Sequence, residues 1–296
     1  MKTEPAAFQT RLSQRLISPR HRSICPACAA RRVTHKSDYP SNVTPFASLT
    51  LLYCTGCGLG FVPNSGAMLE KYYQQDYASQ NRKDRGIDPA QYFTEAARQD
   101  NKMLHRYFTR AKHQTALLKK HGAKFGDVLD FGSGPGYFLH VCKAARKFAF
   151  EPDQQSRKYL DYLGATQYTA LADLPQGAFD VITASHSIEH LVAEDLHSTL
   201  RCLLAALKPD GRMLIEVPQG GHSYLHLKGA RQDPHTLFFT PQALVKAAKG
   251  AGARILFRRT VGKPPIPRRK DPIYTPNPKN RFLNAAHGGL TLVCAK

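Results

Sequence analysis

This chain of 296 residues, 42% of them apolar, is long enough to bury the core of one large domain or of two smaller ones. No apolar run reaches the roughly 20 residues of a membrane-spanning helix, and no apolar stretch follows the basic N-terminus as it would in a secretory signal. A cytoplasmic protein without a membrane span is therefore expected. The formal net charge of +20 favours an anionic partner, such as nucleic acid, a phosphorylated small molecule or an anionic membrane surface, unless the basic surface serves only solubility.

Two closely spaced cysteine pairs distinguish the N-terminal region. A basic arm is predicted at residues 1–20, and a short, turn-rich segment at residues 21–66, here called the ribbon, contains both pairs. Two C-x-x-C turns bring four thiolates into the tetrahedral geometry of a structural zinc site, whereas a redox pair would need one thiol at a helix N-terminus and no second pair. Unmetallated cysteines are the remaining alternative. The predicted zinc ligands are Cys25, Cys28, Cys54 and Cys57.

A helical connector is predicted at residues 67–120, because apolar residues recur there at helical spacing. Residues 78–90 are polar and are expected to form a loop. Three tyrosines in this region either cover an acceptor site beside the ribbon or form the apolar face of a connecting helix; they are Tyr72, Tyr73 and Tyr77.

From residue 121 to residue 296, strand patterns alternate with helical ones, and this alternation predicts an α/β fold with a mostly parallel sheet and helices on both faces. Strands are predicted at about 127–131, 147–151, 179–184, 212–217, 253–260 and 289–295. Helices are predicted at about 136–145, 154–163, 193–207 and 241–251. A turn is predicted at 208–211, and a long connection rich in proline and cations at 262–286.

The first strand of this region runs into a glycine-rich turn. Glycine occupies every second position from Gly132 to Gly136, and a helix-compatible stretch follows. Such a turn lets a ligand approach the main chain at the end of a strand. The dinucleotide fingerprint G-x-G-x-x-G would need glycine where this chain has Tyr137, which favours a nucleoside cofactor other than NAD. Glu151, at the end of the second strand, can accept hydrogen bonds from both hydroxyls of a ribose.

Five segments in this order resemble the class I S-adenosylmethionine-dependent methyltransferases. They are VLDFGSGPGYFL, FEPDQQSRKYLDYLG, FDVITASHSIEHL, LKPDGRMLIEVP and HTLFFTPQAL. The resemblance implies a Rossmann-like, mostly parallel seven-stranded sheet and an enzyme that uses S-adenosyl-L-methionine. It also implies that the glycine turn lines the methionine end of the cofactor, with Asp130 near its ammonium group, Glu151 on the ribose and Ser185 near the methionyl group. The turn residues concerned are Gly132, Ser133, Gly134 and Gly136.

The adenine ring is the part of the cofactor for which this chain departs from the pattern of the family. Many relatives place an acid before the fourth strand, and Asp173 falls late for that role. Backbone near Leu171 and apolar packing are therefore expected to hold the adenine.

Together, the ribbon and the methyltransferase segments resemble bacterial enzymes that act on nucleotide-linked sugars or surface polysaccharides. A fuller C-terminal domain, as in the sugar C-methyltransferases, is not expected here, which argues against C-methylation and leaves O-methylation open. The expected acceptor is a sugar or nucleotide-sugar hydroxyl. A hydroxyl acceptor needs a base, and the candidates are His186, His190 and His235, each of which alternatively orients a loop. Glu189 is expected to cap or pair. No second set of metal ligands is evident, so no catalytic ion is expected.

Two other functions stay open on the sequence alone. An RNA methyltransferase would use the positive charge, the ribbon and the basic connection at 262–286, although the N-P-P-[FY] motif of base amino-methyltransferases and the cysteine pair of cytosine-C5 enzymes are absent from the sequence. The second open function is a nucleic-acid-binding scaffold that keeps the cofactor-binding fold but lacks catalysis. The sequence does not specify the oligomeric state.

Overall fold

In a computed structural model of the protein, residues 24–31, 33–44, 46–75, 86–220, 234–261 and 289–296 are described. The predicted basic arm, Tyr77, most of the predicted loop at 78–90 and the connection at 262–286 lie outside these residues. Within the described ranges, no helix combines the length and the apolarity needed to cross a membrane.

Eleven strands and eight α-helices occur in the described residues. The strands are β1 Val33–Asp38, β2 Thr50–Cys54, β3 Gly60–Phe61, β4 Asp127–Phe131, β5 Arg146–Phe150, β6 Thr166–Tyr168, β7 Phe179–Ser185, β8 Leu207–Pro218, β9 Leu237–Phe238, β10 Arg254–Val261 and β11 Gly289–Ala295. The helices are α1 Gly66–Gln75, α2 Pro89–Tyr92, α3 Glu95–Asp100, α4 Lys102–Lys120, α5 Tyr137–Cys142, α6 Arg157–Tyr162, α7 Leu196–Ala206 and α8 Pro241–Gly250.

A seven-stranded sheet organises the larger part of the molecule. Its strands are ordered β10-β11-β8-β7-β4-β5-β6, with β11 antiparallel to both of its neighbours and the other pairs parallel. This arrangement confirms the predicted mostly parallel α/β fold. The strand order reverses at β4, since β5 and β6 follow on one side of it and β7 and β8 on the other. The carboxyl ends of β4, β5 and β7 therefore meet where ligands bind in such sheets.

Neighbouring residues of the central strands pack on opposite faces of the sheet, as the period of a strand requires. Leu129 and Ile182 join a core with α7 and α8, whereas Val128 and Val181 join a second core with α4, α5 and α6. The predicted coverage of both faces by helices is therefore present.

A second, four-stranded antiparallel sheet is formed mainly by the ribbon, in the order β1-β2-β3-β9. Its last strand, β9, comes from the chain between β8 and α8, and it pairs Phe238 with Gly60 and Leu237 with Phe61. The apolar core of the ribbon is continuous with the core beneath α8. The ribbon is thus joined to the larger sheet region both by backbone hydrogen bonds and by side-chain packing.

The structure differs locally from the expectations, and two differences concern strands. The three-residue strand β6 was not predicted, because Thr166–Tyr168 is short and has no apolar alternation. The predicted turn at 208–211 lies inside β8, whose pairing with β7 shifts register between Phe179 and Val181. This irregularity accommodates the Pro-Asp-Gly sequence within the strand rather than before it.

Candidate cofactor and acceptor site

Residues 132–136, here called the glycine loop, connect β4 to α5. The backbone φ is +75° at Gly132, +53° at Gly134 and +88° at Gly136, all in the left-handed region that favours glycine. A Cβ at Gly132 would lie 2.4 Å from Ser187 Cβ, and one at Gly136 would lie 2.7 Å from the nearest leucine side chain. At Gly134 the nearest atom would be 3.9 Å away. Close packing therefore requires two of the glycines, and the third leaves space beside the main chain for a ligand.

Glu151 lies directly against this loop. Its Oε2 accepts a hydrogen bond from Gly134 N at 2.5 Å, and its Oε1 accepts one from Asp153 N at 2.8 Å. Each carboxylate oxygen has two lone pairs and can accept a further hydrogen bond. The acid predicted to bind ribose is therefore next to the open glycine.

Asp130 is buried near the end of β4, with 5% of its surface exposed. Thr183 of β7 donates a hydrogen bond to Asp130 Oδ1 at 2.6 Å. Burial raises the pKa of Asp130 to about 7, and the charge of Glu151 adds a smaller upward contribution. The hydrogen bond from Thr183 lowers this pKa, but by less than burial raises it. Ser133 is also buried, and its hydroxyl donates to Gly134 O at 3.2 Å.

Ser185, at the end of β7, accepts a hydrogen bond from Gln114 Nε2 at 2.7 Å. Gln114 and Arg110 extend from α4, and Arg110 Nε lies 3.5 Å from Glu216 Oε1. Burial alone would raise the pKa of Glu216, but contacts with His186 and Arg110 outweigh it and lower that pKa. Sequence reasoning missed these α4 residues; the available indication was a glutamine on the mostly apolar face of the helix.

His186 follows β7 with a left-handed backbone, φ +54°. Its Nδ1 lies 3.4 Å from Glu189 Oε1, and its Nε2 lies 3.7 Å from Glu216 Oε1. Burial and Arg110 lower the pKa of His186, but the two carboxylates outweigh them, and the net shift is upward. The contact between Ser187 and Gly132 places this whole segment beside the glycine loop.

His190 and His235 lie together, although 45 positions separate them in the sequence. Their ring centroids are 4.7 Å apart with an interplanar angle of 73°. Glu189 Oε1 is 4.0 Å from His190 Nε2. One possible ligand atom from each of Glu189, His190 and His235 lies within 4.8 Å of the other two. Sequence reasoning named both histidines but did not group them with Glu189, because the group depends on the position of β9.

Of the three tyrosines near the ribbon, Tyr72 has a described side chain. Tyr72 is 3% exposed and packs edge-on against Phe46, with ring centroids 5.0 Å apart, as the helix-face alternative predicts. The side chain of Tyr73 and all of Tyr77 lie outside the described residues. A different pair lies next to the glycine loop, where the hydroxyls of Tyr92 and Tyr137 are 2.5 Å apart.

The segment expected near the adenine forms a 3-10 turn at Leu171–Asp173. Leu171 is half-buried against the main core, and Asp173 is exposed. The placement of adenine by backbone and packing near Leu171 stays a prediction.

The four ribbon cysteines converge in two pairs. Cys25 Sγ is 3.5 Å from Cys57 Sγ, and Cys28 Sγ is 3.6 Å from Cys54 Sγ. Tetrahedral zinc with bonds of about 2.3 Å would separate its sulfur ligands by roughly 3.8 Å, so the four thiols fit such an ion. A hydrogen bond from Cys57 lowers the pKa of Cys25 to about 5, and the same contact raises the pKa of Cys57.

Comparisons with known proteins agree with the fold. The profile of a methyltransferase domain family matches residues 103–256, just over half of the chain. No protein of curated function matches the sequence significantly. The solved 1,6-didemethyltoxoflavin-N1-methyltransferase of Burkholderia thailandensis, which has 1,6-didemethyltoxoflavin and S-adenosylhomocysteine bound, is similar at TM-score 0.50 and 16% identity, over 86% of this chain and 99% of that one.

A second solved structure is the complex of the Haloferax volcanii Trm112 methyltransferase activator with a methyltransferase. It is similar at TM-score 0.50 and 18% identity, over 67% of this chain and 92% of that one. Because the family profile covers more than half of the chain, the chain belongs to that methyltransferase domain family. It is an S-adenosylmethionine-dependent methyltransferase. Family membership disfavours the non-catalytic scaffold.

Proposed function

We propose that S-adenosylmethionine binds across the carboxyl ends of β4, β5 and β7. The observation that supports this most strongly is the hydrogen bond between Gly134 N and Glu151, which puts open backbone and a ribose-binding acid side by side. Bound there, the cofactor supplies a methyl group on an activated sulfonium, and the chain positions the acceptor. The residues proposed to hold it are Asp130, Gly132, Ser133, Gly134, Gly136, Glu151 and Ser185.

We also propose that the acceptor is a small molecule with a sugar or nucleotide-sugar hydroxyl. His186 and His190 follow β7 on a segment that contacts the glycine loop, so an acceptor beside the methyl group would lie near them. Either of these residues, or His235, would take the hydroxyl proton. The net charge of +20 supports a phosphate-bearing acceptor, and it equally supports RNA as the second candidate.

The same proposal includes a structural zinc ion in the ribbon. The supporting observation is the convergence of four thiols at spacings that suit zinc. All four positions of a tetrahedral ion would be filled by protein, so the ion would stabilise the ribbon and take no part in catalysis.

Replacement of Glu151 by alanine tests the cofactor site. We expect affinity for S-adenosylmethionine, measured by calorimetric titration, to fall about 10- to 100-fold, because hydrogen bonds to a charged group are lost. Glu95→Ala is the matched control, since Glu95 is exposed on α3. Undiminished affinity in a Gly134→Val, Glu151→Ala double variant would contradict the assignment.

The acceptor class is tested by incubating the full chain with methyl-labelled S-adenosylmethionine and fractionated cell extract. Label in nucleotide-sugars or glycolipid supports the sugar proposal. Label in RNA alone contradicts it and favours the second candidate. The Glu151→Ala variant is the negative control for every fraction.

A further inference from the structure

Glu189 is a carboxylate enclosed by the molecule, with 1% of its surface exposed. Neither of its oxygens forms a hydrogen bond with the part of the chain that is described. The nearest basic atoms are ring nitrogens, His186 Nδ1 at 3.4 Å and His190 Nε2 at 4.0 Å from Oε1. An enclosed carboxylate with such loose partners costs several kcal/mol, and a bound cation would remove that cost.

The side chains around Glu189 have the spacing of an ion site. The ligand atoms of Glu189, His190 and His235 lie within 4.8 Å of one another. In a tetrahedral site with bonds of about 2.1 Å, neighbouring ligand atoms are roughly 3.4 Å apart. Small side-chain rotations would therefore bring all three atoms to one ion.

Backbone contacts hold the two halves of this cluster together. Thr236 N donates to Glu189 O at 2.9 Å, and the Thr236 hydroxyl donates to Leu191 O. Tyr39 of the ribbon donates its hydroxyl proton to His235 O at 2.8 Å. The positions of His190 and His235 are thus fixed by hydrogen bonds that do not involve their rings.

We propose that Glu189, His190 and His235 bind a divalent transition-metal ion of the zinc type. Two imidazoles and one carboxylate form a donor set typical of such ions. Three protein ligands leave at least one coordination position open, and an acceptor hydroxyl is the class of ligand that this position takes. The role of the hydroxyl rests on the proposed function, whereas ion binding does not. A ring nitrogen that binds the ion is not available as a base, so His186 is the candidate base that remains when the ion is bound.

The test is a comparison of zinc content in the full chain. Wild type, Glu189→Gln and His235→Gln are saturated with zinc, freed of unbound metal by gel filtration and analysed by mass spectrometry. We expect each variant to contain one zinc ion fewer per chain than wild type, because the ribbon site is unaffected. His105→Gln is the matched control, since His105 is exposed on α4 and should leave the zinc content unchanged.

Equal zinc content in wild type and both variants would overturn the proposal. If the variants do not fold, titration of wild type with Co²⁺ decides instead: the site requires one equivalent that adds visible absorption without thiolate-to-cobalt charge transfer. Binding of cobalt only to thiolates would overturn the proposal. S-adenosylmethionine titration on the same wild-type sample keeps the two questions separate, since a failure to bind it contradicts the proposed function and leaves the metal count intact.

Discussion

Asp130 combines burial, a hydrogen bond from Thr183 and a pKa raised to about 7. An aspartate in an unfolded chain ionises near pH 4, so between pH 4 and 7 the folded state retains a proton that the unfolded state has lost. The stability of the fold therefore decreases as the pH rises through this range. Above pH 7 the folded state bears the full free-energy cost of a buried, ionised Asp130, on the order of 4 kcal/mol.

We expect Asp130→Asn to stabilise the protein without cofactor, and to do so more at pH 8 than at pH 5. The measurement is the free energy of unfolding in urea at the two pH values, with the exposed Asp173→Asn as control. The same substitution should weaken S-adenosylmethionine binding, because it removes the negative charge proposed to face the ammonium group. A gain in stability that is equal at both pH values would contradict the role of ionisation.

Helix α8 is the element through which the ribbon meets the larger sheet region. Thr240 caps α8 by accepting a hydrogen bond from Ala243 N at 3.1 Å, and its hydroxyl donates to Cys57 O at 2.6 Å. Lys246, further along the same helix, donates to Gly56 O at 3.1 Å. One threonine side chain therefore caps a helix and also donates a hydrogen bond to the backbone carbonyl of a predicted zinc ligand.

Replacement of Thr240 by alanine is expected to lower the free energy of unfolding by about 2–3 kcal/mol, because both the cap and the buried hydrogen bond to Cys57 are lost. Thr94→Ala is the matched control, since the exposed Thr94 caps α3 through Ala97 N at 3.2 Å and its hydroxyl donates only to the neighbouring Gln91 O, at 2.7 Å. The control should cost about 1 kcal/mol or less. Equal losses from the two substitutions would show that the hydrogen bond to the ribbon contributes nothing.

The elements that the sequence predicts well are those whose pattern is local. The strands at 127–131 and 289–295 coincide with β4 and β11, and the helix predicted at 241–251 differs from α8 by one residue. Strand β9 has only two residues and exists because β3 pairs with it, which no local pattern indicates. The same reason explains why Glu189 was not grouped with the two histidines. The domain boundaries and the roles of the site residues stay predictions.

At the scale of the whole molecule, the net charge of +20 would make RNA affinity depend strongly on salt concentration. Salt dependence can therefore distinguish an RNA methyltransferase from an enzyme that methylates a small molecule. With about four phosphate contacts, affinity for single-stranded RNA should fall roughly 50-fold between 50 and 200 mM salt. Cofactor binding at the partly buried glycine loop should change little.

We therefore expect methylation of a nucleotide-sugar, measured as label transfer, to persist at 200 mM salt at saturating acceptor. Transfer that declines in parallel with RNA affinity would favour the RNA candidate instead. Calorimetric titration of S-adenosylmethionine at both salt concentrations is the control, because it shows that the cofactor site is intact.

The pairing of β3 with β9 has a consequence for how this protein can be shortened. The edge that β3 covers carries Leu237 and Phe238, and the segment just before it carries His235. A chain that starts after residue 66 would leave these two apolar side chains and an unpaired backbone edge open to water, a surface prone to self-association. We therefore expect the ribbon to be inseparable from catalysis, so that a chain shortened in this way aggregates and does not form a smaller enzyme.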